Sequence, residues 1–251
     1  MCTLTIVPTA SGYVAGMNRD ELRTRPPALP GVYEGSVEET RFISPREASG
    51  GTWIACSDRG DMLALLNWNL PALDSPQAPL ISRGTIIPQL IGAFDSEHSL
   101  QMLEQLPLTS YAPFRLIATF REDNLISESR WDGRANTRQF LPWRREHWFS
   151  SSISDELAAQ ERGRTCESAA KQWPPSQSWI RRLHRSHAPQ AGAFSVCVHR
   201  EDAATVSYTE VSVNASSLTV SYLNGNPCQK EEFDSKRTLT LRRRAMAAAA
   251  G

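Results

Sequence analysis

The opening twenty residues constrain this chain most. Cys2 to Val7 alternates like a strand, Pro8 to Gly12 supplies turn residues, and Tyr13 to Met17 returns as a second strand. Asn18-Arg19-Asp20-Glu21 reads as the end of that return strand. A hairpin of this length brings the end of its second strand beside the start of its first, so Cys2 and Asn18–Glu21 are expected to meet. Cys2 directly follows Met1, and a residue this small suits removal of the initiator methionine. The mature terminus would then carry a thiol titrating near ~8.5 and an α-amine near ~7.7–8.0. Groups so close in pKa can exchange a proton, as a self-activating nucleophile requires.

At 251 residues the chain can bury a sizeable core. Its 27 basic and 27 acidic residues cancel, which argues against a dedicated nucleic-acid or membrane-surface protein. Five cysteines, an odd number without a CxxC pair, do not suggest a disulfide framework. No run is long and apolar enough for a membrane span, and no basic segment precedes the first strand. A cytoplasmic location is expected.

Downstream, Arg23 to Gly31 is proline-rich and reads as irregular. Strands are expected over Trp53–Cys56 and Met62–Asn67, around the turn Asp58-Arg59-Gly60. Helices are expected over Ile86–Phe94 and Ser96–Leu106, the second capped by Asp95 or Ser96. A strand pair follows at Phe114–Phe120 and Leu125–Trp131. Next come a helix from Ser154 towards Lys171 and a short basic one over Trp179–Arg185. The end is strand-rich: Phe194–His199, Thr205–Val213, Leu218–Leu223 and Thr238–Leu241. This pattern reads as one α+β domain over residues 1–241, with residues 242–251 as a flexible Arg/Ala-rich tail.

Met1-Cys2, Asn18-Arg19-Asp20-Glu21, Gly50-Gly51-Thr52-Trp53 and Ser82-Arg83-Gly84 resemble, in order and spacing, the NRDE family, that of transport and Golgi organisation protein 2. The resemblance implies an N-terminal-nucleophile hydrolase fold, a four-layer αββα sandwich, distantly similar to choloylglycine hydrolase and penicillin V acylase. Gly16-Met17-Asn18-Arg19-Asp20 resembles that group's Gly-Arg-Asn-x-Asp, and the strand ending at Asn67 resembles its Leu-Asn-Phe strand. On this likeness Cys2 is the nucleophile, Asp20 holds the α-amine and Asn67 donates to the oxyanion. The acylases carry an arginine where this chain has Met17. Arg19 is the replacement cation, although neighbours in a strand point to opposite faces. A second acylase asparagine falls in a stretch that reads Phe149-Ser150-Ser151-Ser152 here. The resemblance also makes Asn18, Glu21, Gly51, Trp53 and Arg83 candidates for ligand binding, with Gly50-Gly51 allowing close backbone approach and Trp53 serving the core.

His184, His187, Cys197 and His199 are residue types that suit zinc or haem iron. Their spacing matches no standard zinc pattern, so they read as solvated or core residues and no metal centre is expected. Arg144, Arg145, Arg181, Arg182 and Arg185 read as a solvated charged face. No phosphate-cradling loop or GxSxG elbow is present.

The family resemblance implies a carrier of haem, or of a similar amphipathic ligand, in a cleft at Cys2; no cofactor is required. The alternative is a Cys2-dependent hydrolase of linear amide C–N bonds, for which an acyl-amide or acyl-CoA-like ligand is expected. A structural or interaction protein with a vestigial cleft is the third possibility. Oligomeric state is left open.

Overall fold

In the computed structural model, which describes residues 1–70, 80–93, 95–230 and 237–244, the chain forms two antiparallel sheets. The first comprises β1 (Cys2–Thr9), β2 (Gly12–Leu22), β10 (Glu146–Ser150), β11 (Ala203–Val213), β12 (Ser217–Asn224) and β13 (Thr238–Arg242). Its spatial order is β10-β1-β2-β11-β12-β13. The second comprises β3 (Val32–Val37), β4 (Thr40–Pro45), β5 (Ile54–Ser57), β6 (Met62–Asn67), β7 (Phe114–Phe120), β8 (Leu125–Trp131) and β9 (Asn136–Leu141). These seven lie side by side in chain order.

Period-two alternation divides the side chains of each strand between two layers. Leu4, Ile6, Tyr13, Ala15 and Met17 from the first sheet meet Ile43, Ile54, Met62, Leu66 and Ile117 from the second in a core between the sheets. Each fully buried Leu, Ile or Met among them contributes about 1.5–3 kcal/mol. The outer face of the second sheet, through Ala55, Leu63, Leu65 and Leu116, packs on helices α1 (Ile86–Leu90) and α2 (Ser96–Glu104). The outer face of the first, through Val7, Val14, Phe149 and Tyr208, packs on α3 (Asp155–Gln172) and α4 (Gln177–Leu183). This is the αββα sandwich expected from the resemblance. Gly16 lets α4 sit close on β2: a Cβ there would come within 2.5 Å of Ile180 Cγ2. Among the described residues no helix is long and apolar enough to cross a membrane.

Three helices start where their caps dictate. Asp95 accepts from the His98 N–H at 2.7 Å, Ser154 from Leu157 at 3.2 Å and Ser176 from Trp179 at 3.2 Å. The first two starts agree with the sequence. The basic helix begins two residues earlier than expected, at Gln177, and α1 ends at Leu90.

Asn18–Glu21 forms the end of β2 as read from the sequence; the strand runs one residue further, because β11 pairs with it as far as Leu22↔Ala203. Other expectations need correction. The hairpin β3–β4 and the strands β9 and β10, which lie in different sheets, were not anticipated; β3 and β9 are edge strands with much of their side-chain surface exposed, which blurs the apolar alternation. Phe194–His199 is not a strand. Its backbone groups find loop partners instead, Cys197 N–H on Ser186 O and His199 N–H on Gly192 O. Nor is the start of the C-terminal tail loose. Arg242 belongs to β13, Arg243 donates to the carbonyls of Arg59, Asn214 and Ala215 and pairs with Glu122, and the Arg244 N–H bonds Asp58 O at 2.7 Å. Residues 245–251 lie outside the described residues.

Candidate functional site

Cys2 opens β1 between two partners. Across β1–β2 it stands opposite Arg19, and across β1–β10 opposite Ser150. Directly opposed residues project from the same face of an antiparallel sheet, so the Arg19 guanidinium and the Cys2 thiol share the inner face. The difficulty raised by Met17 is thereby removed: Met17 opposes Leu4 and is buried in the core, while Arg19 is the cation at Cys2. On the other side the Cys2 N–H donates to Ser150 Oγ at 2.9 Å. Burial raises the thiol pKa above its ordinary value. The positive chain terminus and Arg19 oppose that shift, and Asp20 adds to it. The thiol at rest is therefore neutral and needs a local base to act as a nucleophile.

Asp20 lies on the opposite face of β2 and does not face the thiol; it supports the backbone at the chain start. Its N–H donates to Met1 O at 2.9 Å. Thr205 Oγ1 donates to its Oδ1 at 2.6 Å, and Arg162 Nη1 pairs with its Oδ2 at 3.4 Å. Arg162, from α3, is completely buried. The same Nη1 donates to Thr3 Oγ1 at 2.8 Å and to Cys2 O at 3.4 Å, and Nη2 donates to Ala193 O at 3.1 Å. Burial raises the Asp20 pKa, with Arg162 and Thr205 acting against it. The sequence reading missed Arg162. The signal was available: its neighbours on α3, Ala158 and Cys166 at i−4 and i+4, mark it as part of the helix's buried stripe.

A cleft of about 290 Å³ opens over Cys2, lined by Arg19, Asp20, Glu21, Trp53, Asn67 and Arg83 among others. Six of the nine candidate residues thus line the cleft beside Cys2 itself. The Arg19 guanidinium lies 4.6 Å from the Trp53 ring centroid and pairs with Glu47 at 2.7 Å and Glu21 at 3.3 Å. Arg25 joins the same two carboxylates, Glu47 at 2.8 Å and Glu21 at 3.0 Å. Arg83 is different. Its Nη1 donates to the Pro113 carbonyl at 2.8 Å, and no carboxylate among the described residues lies within salt-bridge distance. Burial lowers its pKa, and Arg25 lowers it further.

Two candidates do not line the cleft. Asn18 points to the helical layer, where Nδ2 donates to His184 O and Val196 O, both at 2.9 Å. Gly51 is a spacer: a Cβ there would lie 3.3 Å from the Gly84 backbone, and Thr52 N–H bonds Gly84 O at 3.0 Å. Of the Gly50-Gly51 pair read from the sequence as allowing close backbone approach, Gly51 makes that approach, whereas Gly50 has open space about it and a φ of 87°.

His184 is buried, with Nε2 3.1 Å from Thr5 Oγ1, which also lies 3.0 Å from His147 Nδ1. Burial depresses the pKa of each histidine to about 3. His187, Cys197 and His199 gather elsewhere with Cys228, and one potential ligand atom from each lies within 4.8 Å of all the others. Sequence spacing did not reveal this cluster because its fourth member is 29 residues beyond the third.

A family model described as Transport and Golgi organisation 2 matches residues 1–185. No curated protein sequence matches the chain. Among solved structures, penicillin V acylase from Agrobacterium tumefaciens is similar with a TM-score of 0.51 at 10% identity, covering 89% of this chain and 86% of its own. The C2A mutant of conjugated bile acid hydrolase from Clostridium perfringens is similar with a TM-score of 0.50 at 9% identity, covering 99% and 100%. At such identity the likeness establishes the fold.

Proposed function

The chain belongs to the Transport and Golgi organisation 2 family, and from that premise we propose that it is an N-terminal-cysteine amidohydrolase acting on a small linear amide with an anionic group. The observation that carries this reading is the setting of Cys2, with its thiol beside Arg19 and its backbone nitrogen 2.9 Å from Ser150 Oγ. Removal of Met1 turns that nitrogen into an α-amine on the same residue as the thiol. The amine takes the thiol proton, and Sγ attacks the amide carbonyl carbon. Asn67 and Arg19 face the developing oxyanion. The C–N bond breaks, the leaving amine takes the proton back, and water hydrolyses the Cys2 thioester to free acid and thiol. Arg83 offers its charge to a carboxylate on the substrate.

The cleft's polar walls support this reading over the haem carrier. Among the described residues its lining contains no histidine, and the sulfurs of Cys2 and Met1 are the soft axial ligands it would offer a haem iron.

The test uses untagged protein whose intact mass shows the loss of methionine. It is incubated with short-chain N-acyl amino acids and the matching neutral N-acyl amides. The expected result is release of acid and amine, an acyl adduct on Cys2 trapped by acid quench, and loss of both in Cys2→Ala. Arg83→Gln should raise KM for the carboxylated series and leave the neutral series unchanged. Absence of turnover and adduct across the panel, with saturable haemin binding in its place, would return the cleft to a carrier role.

A further inference from the structure

We propose that His187, Cys197, His199 and Cys228 bind a structural zinc ion. All four lie beyond residue 185, where the family match ends. His199 Nε2 is its centre. His187 Nε2 lies 3.0 Å from it, Cys228 Sγ 3.4 Å and Cys197 Sγ 3.7 Å. A neutral imidazole nitrogen has one lone pair or one proton. It cannot satisfy a second imidazole and two thiols together, so hydrogen bonding does not account for the convergence.

A cation does account for it. Tetrahedral zinc with Zn–N of about 2.0–2.1 Å and Zn–S of about 2.3 Å has N···N edges of about 3.3 Å, N···S of about 3.6 Å and S···S of about 3.8 Å. The observed 3.0, 3.4 and 3.7 Å separations lie within a few tenths of these edges. Two imidazoles and two thiols form a borderline-soft set that favours zinc over magnesium or calcium. Four protein ligands leave no open position, which makes the site structural.

The site also has a mechanical consequence. Val198 sits between two of the ligands, and both its backbone groups are bonded to Thr205. Val198 N–H donates to Thr205 Oγ1 at 2.8 Å, and Thr205 N–H donates to Val198 O at 3.0 Å. Thr205 Oγ1 then donates to Asp20 at 2.6 Å. The ion would fix the loop on which Thr205 depends, and through it the carboxylate behind the chain start. His187, Cys197, His199 and Cys228 are positioning residues in this scheme.

The test is metal analysis of untagged protein after gel filtration in metal-free buffer. The expected content is about one zinc per chain, retained in Cys2→Ala and lost in the Cys197→Ser/Cys228→Ser double variant. Cobalt exchanged into the wild type should give intense tetrahedral d–d bands and a thiolate-to-cobalt charge-transfer band. That readout stands even if the double variant does not fold. Zinc below about a tenth per chain, weak octahedral cobalt bands, copper or iron in place of zinc, or a Cys197–Cys228 disulfide lighter by two hydrogens would each overturn the assignment. The Cys2→Ala protein separates this result from the proposed hydrolysis, since it lacks the nucleophile and keeps the metal ligands.

Discussion

Arg19 and Cys2 are cross-strand partners, side by side on the inner face of the first sheet. The guanidinium stabilises the thiolate relative to the thiol and so works against the burial that raises the Cys2 pKa. Arg19→Gln should therefore move the pH profile of Cys2 alkylation to higher pH. At pH 7.5, labelling by iodoacetamide, followed by peptide mass analysis, should slow several-fold. An unchanged profile would mean that Arg19 serves only its carboxylate partners.

Arg162 gives a second prediction. Replacing it with methionine leaves the Asp20 carboxylate buried without its cation, and breaking such a pair costs about 3–5 kcal/mol. Loss of the cation raises the folded-state pKa of Asp20 further, because Arg162 is its largest opposing influence. A raised carboxyl pKa means that the native state holds its proton to higher pH than the unfolded chain does. Stability is then lost as pH rises through that window. The Arg162→Met deficit should be larger at pH 8 than at pH 5 in urea titrations; a deficit that shrinks with rising pH would refute the linkage.

Acid should destabilise the protein through a different pair. His147 and His184 both flank Thr5 Oγ1, and burial holds each near a pKa of about 3. In the unfolded chain a histidine takes its proton near ~6.5. The neutral histidines therefore stabilise the fold fully above that value. Their contribution falls by about 1.4 kcal/mol per histidine for each pH unit towards 3. A His147→Phe/His184→Gln variant should show a visibly shallower loss of stability between pH 6 and pH 4. The same slope as wild type would place the acid sensitivity elsewhere.

Much of the site could be read directly from the residues, and the reason is local. Strand alternation and a short turn bring Cys2 to the end of β2 with no tertiary information. The direction of Arg19 could not be read in that way. It depends on register, and a slip of one residue would have exchanged Arg19 for Asp20 at the thiol. Arg162 and the His187–Cys228 cluster were harder still, because each takes its meaning from segments distant in the chain. Arg162 looks like one charge among many on a polar helix until β1 and β2 lie against it.

The spacer at Gly51 offers a fourth prediction. Gly51→Ala sets a methyl 3.3 Å from the Gly84 backbone, tighter than ordinary contact, and one of the two loops must give way. Overpacking of this kind costs roughly 1–3 kcal/mol. Because Arg83 precedes Gly84 and lines the cleft, KM for a carboxylated substrate should rise more than kcat falls. A fall in kcat with KM unchanged would show that the loop does not carry Arg83 with it.

The bond between Met1 and Cys2 is held on both sides. The Met1 carbonyl accepts from the Asp20 N–H, and the Cys2 N–H is committed to Ser150. A peptidase that removes a terminal residue must grip the end of the chain as free, extended backbone. Once β1 has settled between β2 and β10, that end is no longer free. On the proposed hydrolase reading, removal of Met1 would therefore be timed by synthesis: the end would be open to the enzyme until Ser150, on the edge strand β10, takes its place beside Cys2.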